Sequence, residues 1–259
     1  MKLILSPAKK MRIDRDFLAP RTKPEFLEKT GQLLSYLQSL SLPALRKLLC
    51  CNESLAKEAY GYFQKMELDR GETPALFSYD GIQYKYMAPG LMTDEQLDYV
   101  EEHVRILSGF YGILRPFDGI SPYRLELQAK VRTDFCGNLY QFWGDSLANW
   151  LLREDPVIVN LASEEYAKAV RPYVREQGRF VTCLFAEEEQ PGQLVEKGVY
   201  VKMARGEMAR WAAERKAETP EELREFDRLG YVFDRERSER DLYLFTRTEV
   251  PGKKRRLKK

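Results

Sequence analysis

Five basic side chains and one carboxylate are of the types that handle an anion: Lys9, Arg115, Arg124, Lys202 and Arg205, with Glu126 two residues after Arg124. A guanidinium is a planar, permanently charged fork that matches phosphate and carboxylate oxygens, and Lys9 or Glu126 is a candidate for proton transfer. If residues 123–127 form a strand, Arg124 and Glu126 project to the same side, an anion-binding group beside a possible base. The alternative for each is an arginine–carboxylate pair that only ties loops together. More familiar chemistry is missing: the chain has no G-x-S-x-G, no G-x-x-x-x-G-K-[ST] and no G-x-G-x-x-G. His103 is the only histidine, so a triad, a Cys–His pair and a histidine-based metal site would all need this one residue. The cysteines Cys50, Cys51, Cys136 and Cys183 include no C-x-x-C pair, which argues against a zinc ribbon or a thioredoxin-like site. No metal and no cofactor is expected. Cys50 and Cys51 fall in or beside an apolar helical face and are expected to be buried, and His103 is expected at the surface or as a helix-capping cation.

These residues surround the stretch 104–145. Leu97, Val100, Val104 and Leu107 recur at three- and four-residue steps, which predicts a helix opened by Thr93. Gly109 ends it, Gly109-Phe110-Tyr111-Gly112 makes a turn, and Ile113-Leu114 restarts an apolar run that Arg115-Pro116 stops. Helix, glycine turn and restart resemble the helix-hairpin-helix module, whose turn amides grip a DNA phosphate. The glycines are three apart here instead of two, and Pro116 leaves the second helix little room. An ordinary helix cap followed by a buried turn is the competing reading.

In chain order, Leu3-Ile4-Leu5 reads as a short buried strand, broken by Ser6-Pro7. Residues 24–66 read as three helices, the second opened by Ser41 and Pro43 and the third by Asn52. Strands are expected over 74–79 and 82–87, around the turn dipeptide Asp80-Gly81. A strand follows at 123–127 and one helix at 139–152. Val157 to Asn160 is a buried strand, followed at once by a helix with Ser163 as its cap, a frequent place to bind an anion. Strands are expected at 180–186 and 199–203, then a helix carrying Met208, Trp211 and Ala212 inward, a helix start at Thr219, and closing strands at 231–233 and 242–245.

The chain is 259 residues, 44% hydrophobic and 32% charged, and has no apolar run near the ~20 residues needed to cross a bilayer. Its start is too short in its apolar part to be a secretion signal. A cytoplasmic location with no membrane partner is expected. The formal charge of +2 is uneven: Lys253, Lys254, Arg255, Arg256, Lys258 and Lys259 supply six charges, and removing them from +2 leaves −4. Any anion site in the body must therefore be a local patch. Helices and strands interleave with no repeat and no linker. The expectation is a mixed α/β (α+β) fold: a single compact domain over residues 1–250, with a mixed sheet surrounded by helices, and a basic, disordered tail over 251–259.

The blocks SPAK, LSGFYGILRPFD, SPYRLEL, LYQFWGD, VIVNLASEEY, VKMARGEMARW and GYVFDRERS, in that order from residue 3 to about 247, resemble the YaaA peroxide-stress family. The resemblance implies a cytosolic bacterial protein linked to hydrogen peroxide resistance and DNA binding. It also implies an unusual mixed α/β fold with a basic cleft and a helix-hairpin-helix-like element. On that reading Gly109 and Gly112 contact the backbone of double-stranded or structured DNA, and Lys9, Arg115, Arg124, Lys202 and Arg205 line the cleft. Binding would be largely sequence-independent and strongly salt-dependent. The alternative is an enzyme of unassigned reaction that takes a nucleotide or other anionic small molecule in the same pocket, with Lys9 or Glu126 moving a proton. The oligomeric state is open.

Overall fold

Short continuous apolar runs build the centre of the molecule. Lys2–Leu5 is buried at every position and Val157–Leu161 at all but the first, as expected for parallel strands covered on both faces. The computed structural model describes residues 1–13, 18–174, 177–190 and 192–247. The basic tail expected over 251–259 lies outside the described residues. The described strands are β1 (Lys2–Leu5), β2 (Thr73–Pro74), β3 (Val104–Ser108), β4 (Gly112–Leu114), β5 (Gly119–Ile120), β6 (Val157–Leu161), β7 (Arg179–Gln190), β8 (Gln193–Val195), β9 (Val232–Phe233) and β10 (Leu242–Arg247).

Eight strands form one mixed sheet in the order β4-β3-β1-β6-β7-β10-β9, with β8 paired to β7, while β2 and β5 make a separate ladder. Strands β3, β1, β6, β7 and β10 run parallel. β4, β8 and β9 add antiparallel pairs at the margins. Helices pack around this sheet to give one compact α/β domain, the expected architecture. Three open with the expected caps. Ser41 Oγ accepts from the Ala44 amide at 3.4 Å and Asn52 Oδ1 from the Leu55 amide at 3.0 Å. Thr93 and Gln96 form a reciprocal capping box; such caps satisfy amides that a helix start leaves unpaired.

Several expectations are corrected. The helix opened by Thr93 ends at His103, and Val104–Ser108 is strand β3. Ser108 pairs with Gly112 across the turn, so the element is a hairpin of strands and not a helix-hairpin-helix. A short, mostly apolar stretch such as Val-Arg-Ile-Leu fits either period, and its pairing with β1 decides it. Residues 74–79 and 82–87 are not strands: Ala75–Ser78 and Ile82–Met87 are short helices. Residues 199–203, rich in residues that favour strands, lie inside the helix Gly198–Arg215, carried by the strong helix formers that follow. Residues 123–127 form no ladder. The helix expected over 139–152 is two, Leu139–Trp143 and Ser146–Glu154, broken where Gly144 adopts φ +53°. Ser163 does not cap with its side chain. Cys50 is exposed, at the left-handed end of its helix, while Cys136 and Cys183 are buried. His103 is buried too, its Nδ1 3.0 Å from the Met1 carbonyl and its ring stacked on Tyr99.

Candidate anion-binding cavity

β1 and β6 lie side by side and end level, with Leu5 paired to Leu161. The connection from β1 leads to β3 on one side, and that from β6 leads to β7 on the other. Divergence of this kind opens a crevice beyond the carboxyl ends of the two strands. Here it is a cavity of about 530 Å³, within the usual range for small-molecule sites. The floor is the chain leaving β1, from Ser6, and that leaving β6, from Ser163. The Ser163 amide donates to Ser6 Oγ at 2.8 Å, and Tyr84 Oη donates to the Ser6 carbonyl at 2.9 Å. The walls are helix Ile82–Met87, the segment 123–126 and helix Gly198–Arg215.

Lys9, Arg124, Glu126, Lys202 and Arg205 all line this cavity. Glu126 Oε1 lies 3.2 Å from Arg124 Nη2 and 3.5 Å from Lys9 Nζ. Neither contact has hydrogen-bond geometry, so this buried oxygen has charge partners without a hydrogen bond. Asp80 is held by Lys10 at 2.7 Å and Lys85 at 3.3 Å, and the Lys10 contact keeps its carboxyl below its ordinary range. Burial pushes the Glu165 carboxyl up, opposed by the Gln128 amide that donates to it at 3.1 Å. Lys202 is exposed. Arg205 is largely desolvated, which pulls its pKa down, with Glu196 acting in the opposite sense. Three donors on the lining, Gln83 Nε2, Arg124 Nε and Arg205 Nε, are buried without an acceptor among the described residues. A buried donor left unpaired costs about 1–3 kcal/mol.

Close backbone approach sets this geometry. Helix Gly198–Arg215 crosses helix Ile82–Met87 at Gly206, where an added Cβ would lie 2.0 Å from the Gln83 carbonyl oxygen. Arg205 and Gln83 are therefore neighbours. Gly109 serves segment 123–126 in the same way: a Cβ there would stand 2.4 Å from the Leu125 carbonyl oxygen. Gly112, at φ +79°, lies against the Trp143 ring, and Trp143 Nε1 donates to the Gly109 carbonyl at 3.1 Å. Both glycines are buried. Their expected contact with a DNA backbone has no surface to occur on, because Trp143 and segment 125–127 already cover the turn. Arg115 is also elsewhere: it pairs with Glu25 at 3.1 Å and lies over the Trp150 ring at 5.2 Å.

Sequence reasoning missed Gln83 as a lining residue and the hydroxyl network behind it. Tyr123 Oη lies 2.6 Å from Ser108 Oγ and 2.8 Å from Tyr79 Oη. Burial pushes the Tyr123 phenol up to about 12, opposed by these two hydroxyls, and raises Tyr79, Tyr84 and Tyr166 well above the ordinary value. A polar Gln83 in the run Ile-Gln-Tyr-Lys-Tyr-Met was one available signal. Among the described residues no group of three or more His, Cys, Asp or Glu side chains could hold a metal ion, and no helix is long and apolar enough to cross a membrane.

A parallel-centred α/β sheet with a cation-lined cavity at the carboxyl ends of its middle strands is the class this fold and site define. The chain belongs to the family described as peroxide stress protein YaaA, whose model matches residues 1–237. It is 51% identical over 247 residues to a UPF0246 protein of Desulfitobacterium hafniense, covering 95% of this chain and 98% of the relative. UPF0246 proteins of Agathobacter rectalis (43% over 247 residues; 95% and 99% covered) and Pediococcus pentosaceus (45% over 250 residues; 96% and 99% covered) are similar along their whole lengths.

Proposed function

We propose that this peroxide-stress protein acts in the cytoplasm by binding a small anionic molecule, up to the size of a nucleotide, in the cavity beyond β1 and β6. The observation that carries this reading is the set of buried donors without acceptors, on Gln83, Arg124 and Arg205, around one cavity. These nitrogens lie just beneath the cavity surface, so an acceptor-rich ligand toward which the three side chains turn would satisfy them, and the neighbouring exposed Lys202 adds charge. The test is calorimetric titration of the full chain with inorganic phosphate and nucleoside monophosphates. Arg205→Ala should weaken binding at least tenfold, and equal affinity in the folded variant would refute the site.

A second reading, binding of double-stranded or structured DNA, is favoured by the exposed lysines Lys9, Lys10 and Lys202 on the same cavity. Duplex backbone would meet these three, with Arg124 and Arg205 deeper and Arg115 not engaged. Replacing all three by alanine should reduce the slope of log K against log salt by up to about 3, since each phosphate contact contributes roughly 0.9. Deleting residues 253–259 should reduce it by up to about 5 on the same arithmetic. Duplex binding insensitive to both changes would remove this reading.

A further inference from the structure

The hydroxyl network beside the cavity can be counted hydrogen by hydrogen. Ser108 Oγ accepts the amides of Phe110 at 3.1 Å and Tyr111 at 2.9 Å. Both of its lone pairs are then used, so its own hydrogen goes to Tyr123 Oη, 2.6 Å away. The contact of 2.8 Å between Tyr123 and Tyr79 needs one hydrogen, and the two phenols carry two. One phenolic hydrogen is left without an acceptor among the described residues. Tyr79 does not line the cavity and is 3% exposed, whereas Tyr123 does line it. When Tyr79 donates to Tyr123, the remaining hydrogen belongs to Tyr123 and is available to whatever occupies the cavity.

The other phenols there are differently placed. Tyr84 has committed its hydrogen to the Ser6 carbonyl at 2.9 Å. Tyr166 lines the cavity, but no hydroxyl among the described residues supports its phenol. Tyr123 alone is backed by two hydroxyl donors, a geometry that holds a phenolate once the proton has left.

We propose that Tyr123 is the proton donor of this cavity, a catalytic residue in a reaction that builds negative charge on an oxygen of the bound molecule. This rests on the reading of the cavity as the site of a small anionic ligand. In the step, the Tyr123 O–H bond breaks and its electron pair stays on Oη. The proton adds to the developing oxyanion, and the negative charge passes to a phenolate held by Ser108 Oγ–H and Tyr79 Oη–H. Solvent returns a proton after release. The titratable groups around it are Tyr79, Tyr84, Tyr111, Tyr166 and Glu126. Glu126, engaged with Lys9 and Arg124, is placed to orient ligand and cations while the phenol moves the proton.

Tyr123→Phe in the full chain tests this, because the ring and its packing are kept. The variant should bind inorganic phosphate within about threefold of the parent. In cells lacking their own copy, it should protect against hydrogen peroxide no better than an empty vector. A folded Tyr123→Phe protein that protects as well as the parent overturns the proposal. A parent that binds neither phosphate nor nucleotide overturns the anion-site reading instead, so the two failures are distinct. Should the variant not fold, 3,5-difluorotyrosine, a more acidic phenol, is placed at position 123. Tyr79→Phe should then raise its ionisation midpoint by about one pH unit, a tenfold change worth about 1.4 kcal/mol. An unchanged midpoint would also overturn the proposal, because Tyr79 would not be supporting the phenolate.

Discussion

Gly206→Ala should open the cavity wall without touching a charged group — a perturbation of spacing alone. The added Cβ would stand 2.0 Å from the Gln83 carbonyl oxygen, 2.9 Å from its carbon and 3.0 Å from the Met87 amide. Ordinary carbon–oxygen contact is about 3.3 Å, so the helices must part by about 1 Å. All the clashing atoms are backbone, which no rotamer change relieves. Forcing such a contact costs about 1–3 kcal/mol, and for a chain this size each kcal/mol lowers Tm by about 2–4 °C. The expected loss is roughly 2–12 °C. Arg205 and Lys202 move with their helix, so phosphate affinity should fall several-fold even at temperatures where the variant is fully folded. Differential scanning calorimetry and titration calorimetry on the same preparation read both effects. Gly61→Ala is the control, because a Cβ there meets nothing within 4 Å and Gly61 lies inside helix Glu53–Lys65. It should raise stability by about 0.5–1 kcal/mol and leave affinity unchanged. A Gly206→Ala protein as stable as the parent, with unchanged affinity, would refute the close-crossing account of the site.

Other outcomes follow from particular residues. Asp118 is 1% exposed, and burial pushes its carboxyl up to about 6 from the ordinary 3.8. Because the folded value is raised, its contribution is most favourable below the ordinary value and is lost as pH rises through about 6. Thr22 Oγ1 donates to Asp118 Oδ1 at 2.6 Å and the Arg115 amide donates to Oδ2 at 2.8 Å, and an Asn side chain has one oxygen to accept them. The stability of Asp118→Asn relative to the parent should therefore rise by up to about 3 kcal/mol from pH 4 to pH 7, whatever its offset at pH 4, and denaturant melts showing no pH-dependent gap would contradict this. Gly112→Ala must take φ +79° with its Cβ 2.7 Å from the Trp143 ring, so it should destabilise by several kcal/mol; a Tm within about 2 °C of the parent would show that the turn relaxes cheaply. Cys183 is buried and its thiol is pushed up to about 12, while Cys50 and Cys51 form no pair with a resolving thiol. A variant with all four cysteines replaced by alanine should still protect cells from peroxide, and a fully folded variant that fails would implicate thiol oxidation.

Much of the architecture could be read from composition and spacing because it rests on local chemistry. Leu3-Ile4-Leu5 and Val157 to Asn160 announce buried strands by being apolar throughout, and Ser41, Asn52 and Thr93 announce helices by their capping oxygens. Lys9, Arg124, Glu126, Lys202 and Arg205 were legible as anion-handling types, and the fold brings these five onto one cavity. What was not legible depends on pairing across long separations. Val104–Ser108 becomes a strand because β1 offers it a ladder, a fact held 101 residues away, where Leu3 pairs with Val104. Arg115 has the right chemistry but turns to Glu25 and Trp150. Gly109 and Gly112 were rightly picked out as places of close approach, yet what approaches is the protein's own Leu125 carbonyl and Trp143 ring. The meeting of Ser108, Tyr123 and Tyr79 carries no local signal, since 44 residues separate the two phenols.

The cavity is walled by five segments, drawn from near residue 6, residue 83, residue 124, residue 165 and residue 205. A form of the chain in which any one of the five is displaced loses part of the lining, so a ligand that fits binds the state in which all five are assembled. Binding is thereby linked to global unfolding: a ligand present at a hundred times its Kd adds about 2.7 kcal/mol of stability. In a chain of this length that is a rise of roughly 5–10 °C in melting temperature. The protein is its own reporter, and a library of phosphorylated and carboxylated metabolites can be sorted by heat alone, before any reaction has been identified.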